Sequence, residues 1–386
     1  MKRVLALLVL SFAVAAPALG APIVAIEDDL IWHYTQPAAV TERVNNIAAT
    51  GAKYTRIGID WIHIAPTRPA NPEDPADPAY DWGRYDLIIG GLRSRGIGVL
   101  VTLHATPSWA SNSGKVFATP RTADAASFAA AVARRYNGTY PNPLGGLLPA
   151  IQSLGVRNEP NISLFNSPQC KKVGRRWVPV APKAYADLLI ASEPKIRAAN
   201  PNLIIVAGEM GSNAANSKCG PANSSLGSIE FTRELHKALG GKRKVPFDMW
   251  AQHIYPVGPP DRVVFFPSWK RLPEMMTVVN KMHPTGKMPL IISETGYTTS
   301  YTPYHRYFVS EAQQAAWLTL TYQVAARNPQ VEMVVWFNIQ DHRNWTAGLY
   351  RTDGSKKPSF DRFRTIALGS VLSPRWALPT PAPSTT

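Results

Sequence analysis

Two glutamates in this 386-residue sequence each end an apolar run abruptly. Glu159 lies in "LGVRNEP", between Asn158 and Pro160, and Glu294 lies in "LIISETG". Two facing carboxyl groups can cleave a glycosidic bond, because one donates a proton to the leaving oxygen while the other attacks the anomeric carbon. Water activated by the first group then releases the sugar. This chemistry requires a fold that brings the two side chains together.

Eight apolar, β-branched runs alternate with amphipathic segments of helical length. The predicted strands are residues 23–29, 54–61, 98–105, 151–159, 202–210, 247–255, 289–297 and 331–339. A propeller has a similar repeat length but lacks helices between its strands, whereas a doubly wound open sheet could carry the same alternation. Eight nearly uniform units favour a closed (β/α)8 TIM barrel, a single domain over roughly residues 21–371.

The carboxyl ends of the strands line the active site in such a barrel. Glu159 ends the fourth predicted strand and Glu294 the seventh, so both side chains are expected at the same mouth. Asp60 and Glu209 also end strands, and for these two a salt bridge or a solvated rim position is the preferred interpretation. We therefore predict that Glu159 and Glu294 form the reacting pair.

These motifs resemble those of the clan A glycoside hydrolases, which are retaining enzymes on a (β/α)8 scaffold. "NEP" alone is a weak signal, but "NEP" after strand four together with "SETG" after strand seven is a strong one. The sequence is most similar to family 39 and its relatives that act on bacterial exopolysaccharides, over nearly the whole chain after residue 20. The resemblance implies that Glu159 is the acid/base and Glu294 the nucleophile.

The resemblance also implies a set of substrate-binding residues. Asn158 would hydrogen-bond the sugar 2-hydroxyl, and Arg56 in "TRIGIDW" would lie near the nucleophile. His253 and Tyr255 in "AQHIYP" match strand-six positions, where the tyrosine keeps the nucleophile ionised. Physical chemistry supports this assignment, because positive and hydroxyl donors around one carboxyl group push the two pKa values apart.

Aromatic residues complete the site that the resemblance implies. Trp336 in "VVWFNI" matches the strand-eight aromatic residue that forms the floor of the sugar subsite, facing the C–H side of the ring. His104 and Trp109 in "LHATPSW" follow strand three as in family 39. For these two, packing at the barrel mouth is as good an interpretation as sugar contact, and for Trp61 packing is preferred.

The two ends of the chain have their own composition. Lys2 and Arg3 precede an apolar run and small residues up to Gly20, which predicts a signal peptide cleaved near Gly20. The run is shorter than the roughly 20 residues of a membrane span. Residues 372–386, "LSPRWALPTPAPSTT", predict a Pro/Thr-rich tail that is disordered or a linker. The expected location is extracellular, periplasmic or in the cell envelope.

The chain has two cysteines, Cys170 and Cys219. In an exported protein such a pair suggests a disulfide, and the two residues follow strands four and five, whose loops are neighbours at one face of a barrel. No Cys/His cluster has the spacing of metal ligands, so neither a metal nor another cofactor is expected.

Basic residues outnumber acidic ones, with 41 Lys and Arg against 26 Asp and Glu and a net charge of +15. This balance favours an anionic partner, or it only aids solubility; both interpretations remain open. The basic loop after strand four is predicted to lie beside the acid/base and carries Lys171, Lys172, Arg175 and Arg176. "GKRK", residues 241–244, precedes strand six and is predicted at the opposite face.

The sequence thus predicts a secreted, monomeric, retaining glycoside hydrolase that cleaves an extracellular or cell-envelope polysaccharide. The alternative is a carbohydrate-binding barrel protein that has lost catalysis. The presence of both Glu159 and Glu294 argues against it. A nucleic-acid binder would require basic repeats interleaved with aromatic residues, and the sequence has none.

Overall fold

The computed structural model describes residues 21–212, 217–220, 225–262, 268–303 and 305–378. Eight strands form a closed parallel barrel in the order β1-β8-β7-β6-β5-β4-β3-β2. They are β1 Ile23–Glu27, β2 Tyr54–Asp60, β3 Gly98–His104, β4 Ser153–Gly155, β5 Ile204–Met210, β6 Met249–Ile254, β7 Leu290–Thr295 and β8 Val331–Phe337. Each predicted strand is present, which confirms the (β/α)8 barrel. The predicted signal peptide lies outside the described residues.

Helices cover the outer surface of the barrel. They are α1 Pro37–Ala49, α2 Trp61–Ile64, α3 Gly83–Arg93, α4 Thr122–Arg135, α5 Ala181–Ala199, α6 Ser228–Ala238, α7 Leu272–Val279, α8 Glu311–Ala325 and α9 Pro358–Leu368. Outward-facing strand residues such as Ile57 and Ile205 pack with them in the larger core. None of the helices described combines the length and hydropathy that crossing a membrane requires.

Inward-facing residues at the amino end of the barrel form a second, apolar core. Successive side chains of a strand point to opposite faces, so every second residue enters the interior. This inner core consists of Ile23, Ala25, Tyr54, Leu100, Val206, Met249, Ala251, Ile291, Met333, Val335 and Trp376. The lower half of the barrel is therefore a packed plug.

Trp376 closes this amino end, and it corrects the prediction for the C-terminal residues. Its side chain is fully buried, its ring lies 5.4 Å from the Tyr54 ring, and its Nε1 donates to Glu332 at 2.9 Å. The Tyr54 hydroxyl donates to the Trp376 carbonyl at 2.5 Å. The domain thus continues through Leu378, because one large apolar side chain anchors a segment whose Pro/Thr-rich composition suggested disorder. Residues 379–386 lie outside the described part of the chain.

A two-stranded hairpin, Cys170–Val173 paired with Arg176–Pro179, lies between β4 and α5 and was not among the predicted strands. Cys170 at its base forms a disulfide with Cys219 in the segment after β5, as predicted. The hairpin is therefore fastened to the loop of the neighbouring barrel strand.

Candidate active site

The chain leaves the extended conformation just past β4 and near the end of β5. Glu159 has a φ of +41° and Glu209 a φ of +48°. The N–H of Glu159 donates to the carbonyl of Glu209 at 3.0 Å, which joins the two turns. Positive φ is uncommon outside glycine and costs about 1–3 kcal/mol, so the backbone is strained at the predicted acid/base, as it is at Ala105 and Phe117.

Two glycines leave the space that these glutamates occupy. A Cβ on Gly155 would lie 2.4 Å from Oε1 of Glu209. A Cβ on Gly211 would lie 2.8 Å from Cδ of Glu159 and 2.5 Å from Cγ1 of Ile162. Such contacts are too short, so any larger residue at Gly211 would move the Glu159 side chain.

Arg56 lies at the centre of the site, with 1% of its surface exposed. Its Nη1 donates to Glu294 at 2.8 Å and to Glu27 at 2.7 Å. Its Nη2 donates to Asn158 Oδ1 at 2.7 Å and to Glu209 at 2.9 Å. One guanidinium therefore fixes three carboxyl groups in place. The prediction that Arg56 lies beside Glu294 is confirmed.

Glu294 is held from two sides. The Tyr255 hydroxyl donates to Oε2 at 2.6 Å, and His253 Nδ1 lies 3.4 Å from the same oxygen. Burial raises the pKa of Glu294, whereas His253, the Arg56 guanidinium and the Tyr255 hydroxyl favour the carboxylate and oppose that rise. The structure thus places the predicted strand-six residues at the predicted nucleophile.

Glu159 has a less polar environment. Its Oε1 lies 2.8 Å from His253 Nδ1, and burial raises its pKa to about 7, with only the charge of Arg56 opposing. Burial also lowers the pKa of His253 to about 4, so this imidazole is neutral at neutral pH. Glu159 can therefore retain a proton under conditions where a free glutamate is ionised.

The carboxyl groups of the predicted pair lie close together. One oxygen of Glu159, one of Glu294 and a nitrogen of His253 lie within 4.8 Å of one another. Among the residues described, this is the one group with the geometry of metal ligands. The side chains of these three residues already have hydrogen-bond partners in one another, in Arg56 and in Tyr255.

Trp336 does not line the site, so its prediction as the floor of the sugar subsite is wrong. The residue is fully buried on the outer side of the sheet, 6.4 Å from the Tyr297 ring, and its Nε1 donates to the Ala347 carbonyl. Trp336 pairs with outward-facing Ile26, whereas Phe337 pairs with inward-facing Glu27. A shift of one residue along a strand exchanges the two faces.

Phe337 and Trp345 are aromatic residues that do reach the mouth. Their rings lie 6.3 and 4.9 Å from the Tyr255 ring and 5.5 Å from each other, and both are half-buried. Counting alternate residues from Met333 would have identified Phe337. Trp345 lies in the loop after β8, where no periodicity points to it.

Glu27, the last residue of β1, was also missed. It is 1% exposed and accepts from Arg56, and burial raises its pKa well above the usual range. The available signal was its place in "IVAIEDD", where an acidic residue ends a strand as it does at Glu159 and Glu294.

His104 lies at the barrel mouth, 6.1 Å from the Trp32 ring and above Gly58, whose added Cβ would lie 3.2 Å from the imidazole. Its buried Nε2 has no hydrogen-bond partner in the described part of the protein. Burial lowers its pKa well below the usual value. The side chain is thus a neutral polar group at the mouth.

Trp109, in contrast, is engaged in packing. Its Nε1 donates to the Ala65 carbonyl at 2.8 Å, and its ring meets the edge of Trp61 at 5.3 Å. Trp61 stacks on Phe128 at 4.8 Å, which confirms the packing interpretation for Trp61. Of the two alternatives for Trp109, these contacts favour packing over sugar contact.

The other two strand-end acids behave as interpreted from the sequence. Glu209 forms a buried salt bridge with Arg56, and Asp60 lies 3.4 Å from His63 Nδ1 near the rim.

The basic loop after β4 is the exposed hairpin described above. Its charged residues Lys171, Lys172, Arg175 and Arg176 are all exposed. Gln169, just before the hairpin, donates to the Pro160 carbonyl at 2.8 Å, so the hairpin is anchored to the loop that carries Glu159. Residues 241–244 lie between α6 and β6, at the amino end, as predicted.

Comparison with known proteins gives similarity in structure and none in sequence. No protein-family model and no curated protein sequence matches the chain significantly. A family 39 glycoside hydrolase from Bacteroides cellulosilyticus WH2 superposes with a TM-score of 0.60 at 16% identity, covering 91% of this chain and 64% of the other.

Two further solved structures agree. A glucosidase from Croceicoccus marinus gives a TM-score of 0.62 at 18% identity, covering 90% of this chain and 69% of the other. A monomeric β-xylosidase from Caulobacter crescentus CB15 gives 0.56 at 16% identity, with 90% and 68% covered. The chain shares its fold with these glycosidases. It spans about two thirds of their length.

Proposed function

We propose that the protein is a retaining O-glycoside hydrolase. The observation that carries this proposal is the pair Glu159 and Glu294. Glu159 follows β4, Glu294 is the penultimate residue of β7, and their oxygens lie within 4.8 Å of each other. Retaining glycosidases hold their two carboxyl groups about 5–5.5 Å apart, whereas inverting ones need about 6.5–9.5 Å to admit a water. The similarity of fold to solved glycosidases supports the same function.

In the first step, Glu159 donates its proton to the glycosidic oxygen while a Glu294 oxygen attacks the anomeric carbon. The bond to the leaving group breaks, the leaving group departs with the proton, and a glycosyl ester forms on Glu294. Arg56 and Tyr255 fix the orientation of the attacking carboxylate. Since Arg56 occupies Asn158 Oδ1, the Asn158 Nδ2 is the group left to donate to the sugar 2-hydroxyl.

In the second step, the ionised Glu159 accepts a proton from water, whose oxygen attacks the anomeric carbon and displaces Glu294. Two displacements at one carbon restore its original configuration. His253 Nδ1 lies 2.8 Å from Glu159 and can donate to it while that carboxyl group is ionised. Each group thus returns to its starting protonation state.

The substrate of this proposal is a polysaccharide outside the cytoplasm, and the enzyme acts as an exported monomer. Export is supported by the N-terminal sequence and by the Cys170–Cys219 disulfide, because disulfides persist in oxidising compartments. The exposed basic hairpin, anchored beside Glu159, supports a polymer with anionic groups away from the bond that is cleaved.

Product analysis tests the proposal. Proton NMR of products at early times, on neutral and acidic polysaccharides and aryl glycosides, should show release of the anomer present in the substrate. Release of the opposite anomer would contradict the role of Glu294. Binding of a polysaccharide with no cleavage by the wild type would instead support the carbohydrate-binding barrel without catalysis.

A further inference from the structure

We infer that Asp29 recognises hydroxyl groups of the reacting sugar and that this sugar is neutral. The inference rests on the proposed hydrolase function and specifies its substrate class. Asp29 follows the end of β1, two residues after Glu27, and therefore lies at the catalytic end of the barrel. Neither the sequence motifs nor the reaction steps above use it.

Two neighbouring side chains hold Asp29 in a fixed orientation. Asn338 Nδ2 lies 2.6 Å from Asp29 Oδ1, and His342 Nε2 lies 2.8 Å from Oδ2. A carboxylate has about four acceptor positions, so both oxygens can accept a further hydrogen bond. The side chains of Asp29 and His342 are 16% and 17% exposed, which leaves them accessible to a ligand.

A continuous wall connects Asp29 to the nucleophile. Backbone hydrogen bonds between His342 and Trp345, at 2.9 and 3.0 Å, form a tight turn. Trp345 packs against Tyr255, whose hydroxyl donates to Glu294. A sugar whose anomeric carbon meets Glu294 would therefore extend along Trp345 toward Asp29.

Unpaired polar atoms lie along the same wall. Asn338 is fully buried, yet its Oδ1 has no partner among the residues described. The amide oxygen and nitrogen of Asn338 cannot be exchanged, since Oδ1 would then face the Asp29 carboxylate. Trp345 Nε1 is a donor that is likewise unpaired within the described chain. Both atoms are buried within the wall, so the group that a sugar hydroxyl can reach directly is the Asp29 carboxylate, to which a hydroxyl can donate.

The charge at the barrel mouth opposes an acidic sugar at this position. Glu209 and Glu294 share the single guanidinium of Arg56, which also bonds the buried Glu27. Asp29 adds a further carboxyl group near this cluster. A uronate carboxylate would face repulsion in a partly buried, weakly screened site, whereas a neutral hexose or pentose would not.

A matched pair of substrates tests the inference. We expect wild-type kcat/KM to be at least about 100-fold higher for p-nitrophenyl β-D-glucoside or β-D-xyloside than for p-nitrophenyl β-D-glucuronide. Asp29→Asn should lower kcat/KM on the neutral substrate by about 10- to 100-fold. The ratio of kcat/KM for the neutral substrate to that for the glucuronide should then fall below about ten. His342→Gln should give a smaller loss in the same direction.

Asp187→Asn is the control, because Asp187 forms an exposed ion pair with Lys183 on α5. This variant should leave kcat/KM unchanged on both substrates. Thermal unfolding establishes that each variant is folded. A wild type that prefers the glucuronide, or an Asp29→Asn variant with unchanged kcat/KM on the neutral substrate, would overturn the inference.

If the wild type hydrolyses no glycoside, the proposed function fails and binding decides the inference separately. Ligand-observed NMR with cellotetraose and with an oligoglucuronate then provides the readout. Binding of the neutral oligosaccharide that weakens at least about tenfold in Asp29→Asn would support the inference. Binding of neither sugar, or tighter binding of the oligoglucuronate, would overturn it.

Discussion

The two ends of the barrel are built from the same strands but have opposite character. At the amino end, β1 and β2 contribute Ile23 and Tyr54 to an apolar plug that Trp376 closes. A few residues further along the same strands, Glu27 and Arg56 belong to a buried ionic network. Alternation along a strand decides which residues face inward. Position along the strand decides whether an inward-facing residue joins the apolar plug or the ionic network. Stability and chemistry are thus separated along the barrel axis.

Buried polar side chains lie at both ends of the barrel, and Trp250 Nε1, near the start of β6, has no partner among the described residues. Trp376 at the amino end has a partner for its Nε1 in Glu332. At the carboxyl end, His104 Nε2, Asn338 Oδ1 and Trp345 Nε1 have none among the described residues. An unsatisfied buried polar atom costs about 1–3 kcal/mol. Unpaired polar atoms thus occur at both ends, and the ionic network around Arg56 is what sets the carboxyl end apart.

The largest expected effect comes from the nucleophile. Glu294→Gln should lower kcat by about a thousandfold or more, because an amide cannot form the glycosyl ester. The midpoint of thermal unfolding should not fall, since the variant removes a carboxyl group from a crowded cluster. A large drop in that midpoint with retained activity would place Glu294 among the stabilising residues instead.

At the amino end the expected effect is on stability alone. Trp376→Ala should lower the free energy of unfolding by about 3–5 kcal/mol, as removal of a buried aromatic side chain does. Because Trp376 lies at the far end of the barrel, kcat per folded molecule should stay within about twofold. Urea denaturation combined with active-site titration measures both quantities, and unchanged stability would show that residues 372–378 do not anchor the domain.

Glu159 should show a trade-off between function and stability. Its pKa is raised from 4.5 to about 7, so the folded state binds this proton more tightly than the unfolded chain. The contribution of this proton to the free energy of unfolding is therefore complete below about pH 4.5 and is lost as pH rises toward 7. Glu159→Gln should raise the free energy of unfolding by about 1–3 kcal/mol at pH 8 and by little at pH 4.

The same proton sets the alkaline side of the activity profile. Wild-type kcat/KM should fall as pH rises through about 7, because the leaving group then lacks its proton donor. Glu159→Gln should abolish that limb on substrates whose leaving group needs no protonation. A limb that persists in the variant would assign the titration to another residue.

The smallest expected effect comes from the basic hairpin. Replacing Lys171, Lys172, Arg175 and Arg176 by Gln should raise KM for an anionic polymer by about two- to tenfold, and less so at high salt. Turnover of an aryl glycoside should hardly change. The control replaces the basic residues of 241–244, at the opposite end. Equal behaviour of the two variants on the polymer would show that the hairpin is an ordinary solvated surface.

The sequence was sufficient to predict the barrel and to place Glu159 and Glu294 together at its mouth. Each strand shows as an apolar run, and Glu159 and Glu294 are polar residues that end such runs. The family resemblance correctly indicated that Arg56 and Tyr255 lie beside Glu294. It failed at Trp336, because "VVWFN" contains two adjacent aromatic residues and a single residue of register decides which one faces inward.

Other features of the site depend on tertiary contacts. Glu27 and Glu209 gain their roles only because both converge on Arg56. Trp345 belongs to a loop whose path follows from the turn at His342 rather than from any periodic pattern. Trp376 looks like part of a linker until the open amino end of the barrel is known. Residues fixed by strand periodicity were predictable, and those fixed by loop paths were not.

The central claim is that Glu294 becomes covalently bound to the sugar while Glu159 handles the proton. Incubation with a 2-deoxy-2-fluoro glycoside bearing a good leaving group, followed by mass spectrometry of the digested protein, tests it directly. The account predicts one added fluoroglycosyl group on the peptide that contains Glu294, with slow recovery of activity as water releases it. Label on a different residue, or turnover of that substrate with inversion and no adduct, would contradict the account.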